Sequence, residues 1–215
     1  QKDQVMEVSR IRALRGPNLW SRHTAIEAIV ACAEHERSID KLPGFEQRLR
    51  ARFPAIGELH PGGPSSPLTL AHILKKAALA MQAQAGCPVT FSRLSATMDP
   101  GVYQVVVEYS EEEVGRQAFA LAQSLVQAAQ DDTAFDITAA IDQLRDTDES
   151  ERLGPSTGAI VEAAAARNIP WRRLTQGSLV QFGWGSRQRR IQAAELDSTS
   201  AVAESIAQDK DLTKK

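Results

Sequence analysis

The chain has 215 residues, 42% of them hydrophobic and 24% charged, enough for one large domain or two small ones with a real core. Aromatic residues make up only 5%, so that core is aliphatic and alanine-rich. A net charge of −2 supplies no global field for nucleic acid or an anionic membrane, and electrostatic binding has to come from a local patch.

In chain order, Val8, Ile11 and Leu14 predict a first strand, stopped by Arg15-Gly16-Pro17-Asn18. The run from Ala25 to Ala33 is open: Ile26, Ala28, Val30 and Cys32 alternate as in a strand, and the alanines also permit a helix. Pro43-Gly44-Phe45 opens a short basic helix reaching about Phe53, and His60 to Pro67 is a Gly/Pro loop. Ser66 as cap and Pro67 in the first turn predict a helix whose stripe is Ala71, Leu74, Ala78, Met81 and Ala85, ended by Gly86.

Val102 to Tyr109 predicts a strand with Tyr103, Val105, Val107 and Tyr109 on one face and Gln104 and Glu108 on the other. Ser110-Glu111-Glu112-Glu113 matches a capping box and starts a helix carrying Val114, Ala118, Leu121 and Leu125. A short helix follows Asp136, and the charged run Asp146 to Arg152 predicts a linker. Beyond it lie an alanine-rich helix ending near Asn168 and short strands around 171–174, 179–182 and 190–194. The fold class is therefore mixed α/β (α+β), with a sheet-and-helix domain over 6–152 and a small α/β segment over 153–215.

Cys32 and Cys87 sit among apolar neighbours outside any C-x-x-C pair, which predicts buried free thiols in a reducing compartment. No stretch approaches the ~20 apolar residues of a membrane span. No charged-then-apolar leader is present, Met6 is a candidate start, and the expected location is cytoplasmic.

Among His23, His35, His60 and His72, no two share metal-ligand spacing. His72 lies on the strong helix with Lys75 and Lys76 at i+3 and i+4, on neighbouring positions of its face. Two ammonium groups beside one imidazole repel a divalent cation, so no metal is expected there; a solvated basic face or an anion-binding face remains. Gly183-x-Gly185 lies between two strand-like flanks and fits a hairpin turn better than a nucleotide loop. Arg187, Arg189 and Arg190 suit carboxylate or phosphate recognition, or are simply solvated. Ser156-Thr157 opens a helix whose N–H groups suit an anion, with simple capping an equal account.

Several stretches together resemble the cyanophycin synthetases. They are Leu14 to Ser21, Leu42-Pro43-Gly44-Phe45, Pro100 to Val106 with Glu108-Tyr109, Leu153 to Thr157, Ile169-Pro170-Trp171, Val180 to Gly185 with Gln188 to Ala193, and Asp209 to Lys215. Such enzymes build a poly-aspartate backbone with arginine on each side chain, using an N-terminal domain, an ATP-grasp ligase and a Mur-like ligase. The resemblance implies that 153–215 opens the ATP-grasp domain, with Lys210 in the place of a lysine that approaches ATP phosphates. It implies no cofactor in this chain, with ATP and magnesium serving the full-length parent, and no ligase activity from this piece alone.

The resemblance further implies that 6–152 holds the growing cyanophycin polymer near the ligase sites. Its partners are then the polymer and the rest of a homo-oligomeric ligase, with neither nucleic acid nor membrane. Glu108, Glu111, Glu112 and Glu113 would meet guanidinium groups, and Arg15, Arg22, Lys75, Lys76 and Arg93 would meet carboxylates. Some members look as if they carry His-x-x-Glu-His on the helix of His72, implying a metal-dependent peptidase that cuts polymer into primers. Here Lys75 and Lys76 replace the base and a ligand, so no catalytic residue is expected in this chain. The alternatives are that peptidase, working through other ligands, and a structural domain that mediates oligomer contacts.

Overall fold

The computed structural model describes residues 6–15, 23–59, 67–175, 177–193, 195–196 and 198. The chain divides into two compact units, Gln1–Ser150 and Glu151–Lys215.

The first unit is built on a four-stranded antiparallel sheet in the order β1-β2-β4-β3. Its strands are β1 (Glu7–Leu14), β2 (Ala25–Ala31), β3 (Ser92–Ala96) and β4 (Val102–Glu108). The open run after Ala25 is thus a strand, with Ile26, Ala28 and Val30 opposite Val107, Val105 and Tyr103 of β4. Those residues point at the core, and β-branched side chains suit that half-buried pleat. β1 bulges between Ser9 and Arg12, where Arg10 takes φ 51.

Helices α1 (Phe45–Arg52), α2 (Leu70–Ala85), α3 (Glu112–Asp131) and α4 (Ile137–Glu151) complete the unit. α2 packs on β3 and β4, α3 on β2, and the two helices on each other. Leu70, Ile73, Leu74, Ala77, Ala78 and Met81 are fully buried, so α2 is a central helix rather than an amphipathic cover. α4 adds Ile141 and Leu144 to the same core. Gly115 permits the close approach of α3: a Cβ there would stand 2.6 Å from that of Tyr109.

The helix borders differ from expectation in three places. The N-cap of α2 is Thr69, whose side chain accepts from the His72 N–H, three residues later than the Ser66–Pro67 start. Ser66 itself lies outside the described residues. Glu111 is the N-cap of α3 with no side-chain cap bond, and the Ser110 hydroxyl is buried without a partner, so the capping box does not form. The expected linker is mostly helix, because α4 runs to Glu151. The polar run there is a solvated helix face, apart from a buried Asp148.

The second unit has α5 (Pro155–Ala165) and a second antiparallel sheet, β5 (Trp171–Arg173), β6 (Leu179–Phe182), β7 (Arg189–Gln192) and β8 (Glu195–Leu196), in sequence order. The β6–β7 link uses Gly183 and Gly185 at φ 67 and 61, as a hairpin connection requires. Its buried cluster is Val161, Val180 and Ile191, flanked by Leu153 and Phe182. Two antiparallel sheets with helices make the whole a mixed α+β protein.

Candidate functional site

The eight candidate side chains of the first unit fall into separate places. Arg22 lies outside the described residues, as does Lys210 in the second unit. Glu108, Glu111 and Glu112 lie where β4 passes into α3, and Arg15 reaches Glu112 there. Glu112 accepts from Arg15 Nε at 2.6 Å and from Arg116 Nη2 at 3.0 Å. The hydrogen bond from Arg15, with that of Arg116, holds its carboxyl below the usual range despite partial burial. One Glu108 oxygen accepts from the backbone N–H groups of Thr90 and Phe91, both at 2.7 Å, and the other lies 2.9 Å from His23 Nδ1. Glu108 therefore closes the turn into β3. Beside this junction, burial pushes the Tyr109 phenol up to about 12. Glu108 and Glu112 are already answered by cations and N–H groups of the fold.

Arg93 is exposed on β3, opposite Val106, on the sheet face turned away from α2 and α3. The same face carries Glu27, whose side chain is 5% exposed and bonded to Arg12 and Gln104. Burial raises the Glu27 carboxyl, but the bonds from Arg12 and Gln104 outweigh it and the net direction is down. The pair links β1 to β2 and β4; it is structural, a role invisible in a sequence where Arg12 is just one more arginine.

Lys75 and Lys76 stand on α2 with His72. His72 and Lys75 are both half-buried. The Thr69 backbone N–H donates to His72 Nδ1 at 3.3 Å, and Thr69 Oγ1 lies 3.0 Å from the same atom. A backbone N–H can only donate, so Nδ1 accepts and the neutral ring carries its proton on Nε2. Burial, and then the Lys75 charge, hold the imidazole below its ordinary value, so it is neutral at pH 7. The ring is tilted against Tyr103 of β4, with centroids 6.5 Å apart.

Cys32, whose thiol burial pushes up to about 11, and Arg37 both act electrostatically on Tyr103. Arg37 donates to the Pro100 carbonyl at 3.0 Å and lies against Gly101 at φ 83, where a Cβ would stand 2.3 Å from its Nε. That Nε is buried with no partner. Cys32 and Cys87 are both buried and free of disulfides.

A metal-bound histidine donates its second ring nitrogen to a carbonyl or carboxylate. Here that second nitrogen receives a donor, and the following turn supplies two ammonium groups. The set does not fit zinc, and among the described residues no group of three or more His, Cys, Asp or Glu side chains could hold a metal ion. In the second unit the described side chains offer a helix start and exposed arginines. Thr157 there is buried and donates to the Ala193 carbonyl at 2.8 Å, tying α5 to the sheet. Arg172 lies 5.7 Å from the Trp184 ring centre, and Arg187, Arg189 and Arg190 are exposed. Among the described residues no helix is long and apolar enough to cross a membrane.

Fold and side chains thus define a mixed α+β domain with separate carboxylate-rich and basic patches, followed by a smaller α+β unit. Residues 27–131 match the family described as the cyanophycin synthase-like N-terminal domain. The cyanophycin synthetases of Trichormus variabilis and Nostoc sp. are each 35% identical, over 98% of this chain and 25% of their own length. That of Geminocystis herdmanii is 34% identical, over 97% of this chain and 26% of its own. The chain belongs to the cyanophycin synthetase family through this N-terminal domain, and it spans about a quarter of the length of the curated relatives it matches.

Proposed function

We propose that residues 6–152 hold a growing arginyl-poly-aspartate polymer for the ligase sites of a longer cyanophycin synthetase-like protein, and that 153–215 open its ATP-grasp domain. The physical advantage is effective concentration: a tethered chain end meets each ligase site repeatedly without escaping. The observation that carries this reading is the match of residues 27–131 to the N-terminal domain family, within relatives four times as long that bear the synthetase name. The basic face of α2 supports it, since Lys75 and Lys76 offer positive charge to the carboxylates of such a polymer. ATP and magnesium belong to the longer protein, with Lys210 near the phosphates, and the assembly is a cytoplasmic homo-oligomer.

The test is calorimetric titration of a short synthetic arginyl-poly-aspartate segment into the chain at several salt concentrations. Saturable binding that weakens with salt, with the peptide intact afterwards, is expected. Absence of binding leaves a structural role, and cleavage in the presence of zinc restores the peptidase reading.

A further inference from the structure

The basic face of α2 contains an unusual combination: polar groups taken partly out of water with no acceptor among the described residues. Half-burying an ammonium is unfavourable unless an anion or acceptor answers it. Burial, and then Lys76, lower the affinity of Lys75 for its proton, and no carboxylate acts on it to compensate. Lys76 differs, since Glu58 offsets part of its burial. Lys75 has no hydrogen bond or ion pair among the described residues, and neither does the Tyr103 hydroxyl. The tautomer fixed by Thr69 makes His72 Nε2 a third donor without an acceptor there. The Arg37 guanidinium acts electrostatically on Tyr103, and its buried Nε has no hydrogen-bond partner among the described residues.

Three donors, one of them cationic, therefore stand at one corner with the Arg37 charge beside them, and the Tyr103 hydroxyl oxygen is the one acceptor those groups contribute. The local backbone holds them firmly. His72 is pinned by the Thr69 cap, Lys75 follows one turn later on a buried helix, and Arg37 is fixed by Pro100 and the missing Cβ of Gly101. A carboxylate is the natural complement: it offers only acceptors, carries one negative charge, and gains charge-assisted bonds from ammonium and guanidinium.

We propose that His72, Lys75 and Tyr103, flanked by Arg37, form a carboxylate-binding subsite. Resting on the polymer-holding reading, its occupant is the free carboxylate of an arginyl side group, whose guanidinium stays in solvent. On this view Lys75, where a general base would stand in a peptidase-like helix, serves recognition.

The test uses the 215-residue chain, a synthetic arginyl-poly-aspartate segment with free arginine carboxylates, and its twin with those carboxylates amidated. Wild type should prefer the free acid by about tenfold, and Lys75→Met should lose about tenfold for the free acid while binding the amide as wild type does. Lys76→Met, with Glu58 nearby, should lose less. Circular dichroism melts confirm that each variant is folded, and His72→Gln serves as a second probe if Lys75→Met is not. Equal binding of acid and amide, or unchanged binding by Lys75→Met, overturns the subsite and leaves polymer holding intact. Failure of both segments to bind wild type removes polymer holding. The corner is then judged on plain polyaspartate, surviving only if binding disappears in Lys75→Met. Competition by inorganic phosphate as effective as by acetate overturns the assignment to carboxylate.

Discussion

The two units use the same materials, antiparallel sheet and alanine-rich helix, with different degrees of closure. In the first, a continuous core runs from Met6 through the sheet and α1, α2 and α3 to Leu144, with large side chains such as Phe45, Phe53, Phe119 and Leu74 fully buried. In the second, three of the described residues form the buried cluster, and Trp184 is 57% exposed. Full burial of one large aliphatic or aromatic side chain stabilises by about 1.5–3 kcal/mol, while ordering each residue costs about 1–2 kcal/mol of backbone entropy. The first unit has the buried surface to meet that cost. Among the described residues, the second buries far fewer such side chains.

The largest expected difference is between the units expressed apart. Residues 1–150 should unfold cooperatively on heating, while 151–215 alone should show no sharp transition in near-ultraviolet dichroism; a cooperative melt of the smaller piece breaks the comparison. Next, Leu74→Ala in the first core should cost about 3–4 kcal/mol in urea unfolding, because α2 is enclosed and the cavity cannot collapse. Val180→Ala in the second should cost about 2 kcal/mol or less, read as faster local amide exchange within that unit. The smallest effect belongs to Arg15→Ala, under about 1 kcal/mol, since the Arg15 side chain is 75% exposed.

That last substitution has a pH signature. The folded Glu112 carboxyl lies below its unfolded value, so its contribution is present above the unfolded value and disappears as pH falls through the folded one. Unfolding measured from pH 6 down to 2 should show a shallower acid-side loss in Arg15→Ala than in wild type. A steeper one contradicts the assigned pair.

Much of this frame was legible in the sequence, and the omissions have physical causes. β4 could be read because Val105 and Val107 face the helices while Gln104 faces away, which gives a clean period of two. β3 was missed because Ser-Arg-Leu-Ser-Ala has one large apolar residue, and its strand character depends on pairing with β4. The extension of α4 was missed because a solvated helix face has the composition of a linker. At the candidate site, the helix and its His72, Lys75 and Lys76 spacing were legible from local order. The Thr69 contact that selects the His72 tautomer, the burial of Lys75 and the approach of Tyr103 and Arg37 were not, since each depends on where the chain packs. Glu108 looked like a binding carboxylate, but one of its oxygens accepts from Thr90 and Phe91, which fold back beside it, and the other lies against His23. The Arg15–Glu112 pair spans 97 positions and leaves no local trace.

Glu36 is wholly buried, and its oxygens accept from the N–H groups of Met6 and Ala33 and from Gln130 Nε2 near the end of α3. Those groups come together only after a loop of 94 positions has closed. Loop closure of that length is an entropic barrier paid before the contact rewards it. The start of β1 should therefore lock late in folding, after α3 has docked, and a substitution at Glu36 should speed unfolding far more than it slows the initial collapse.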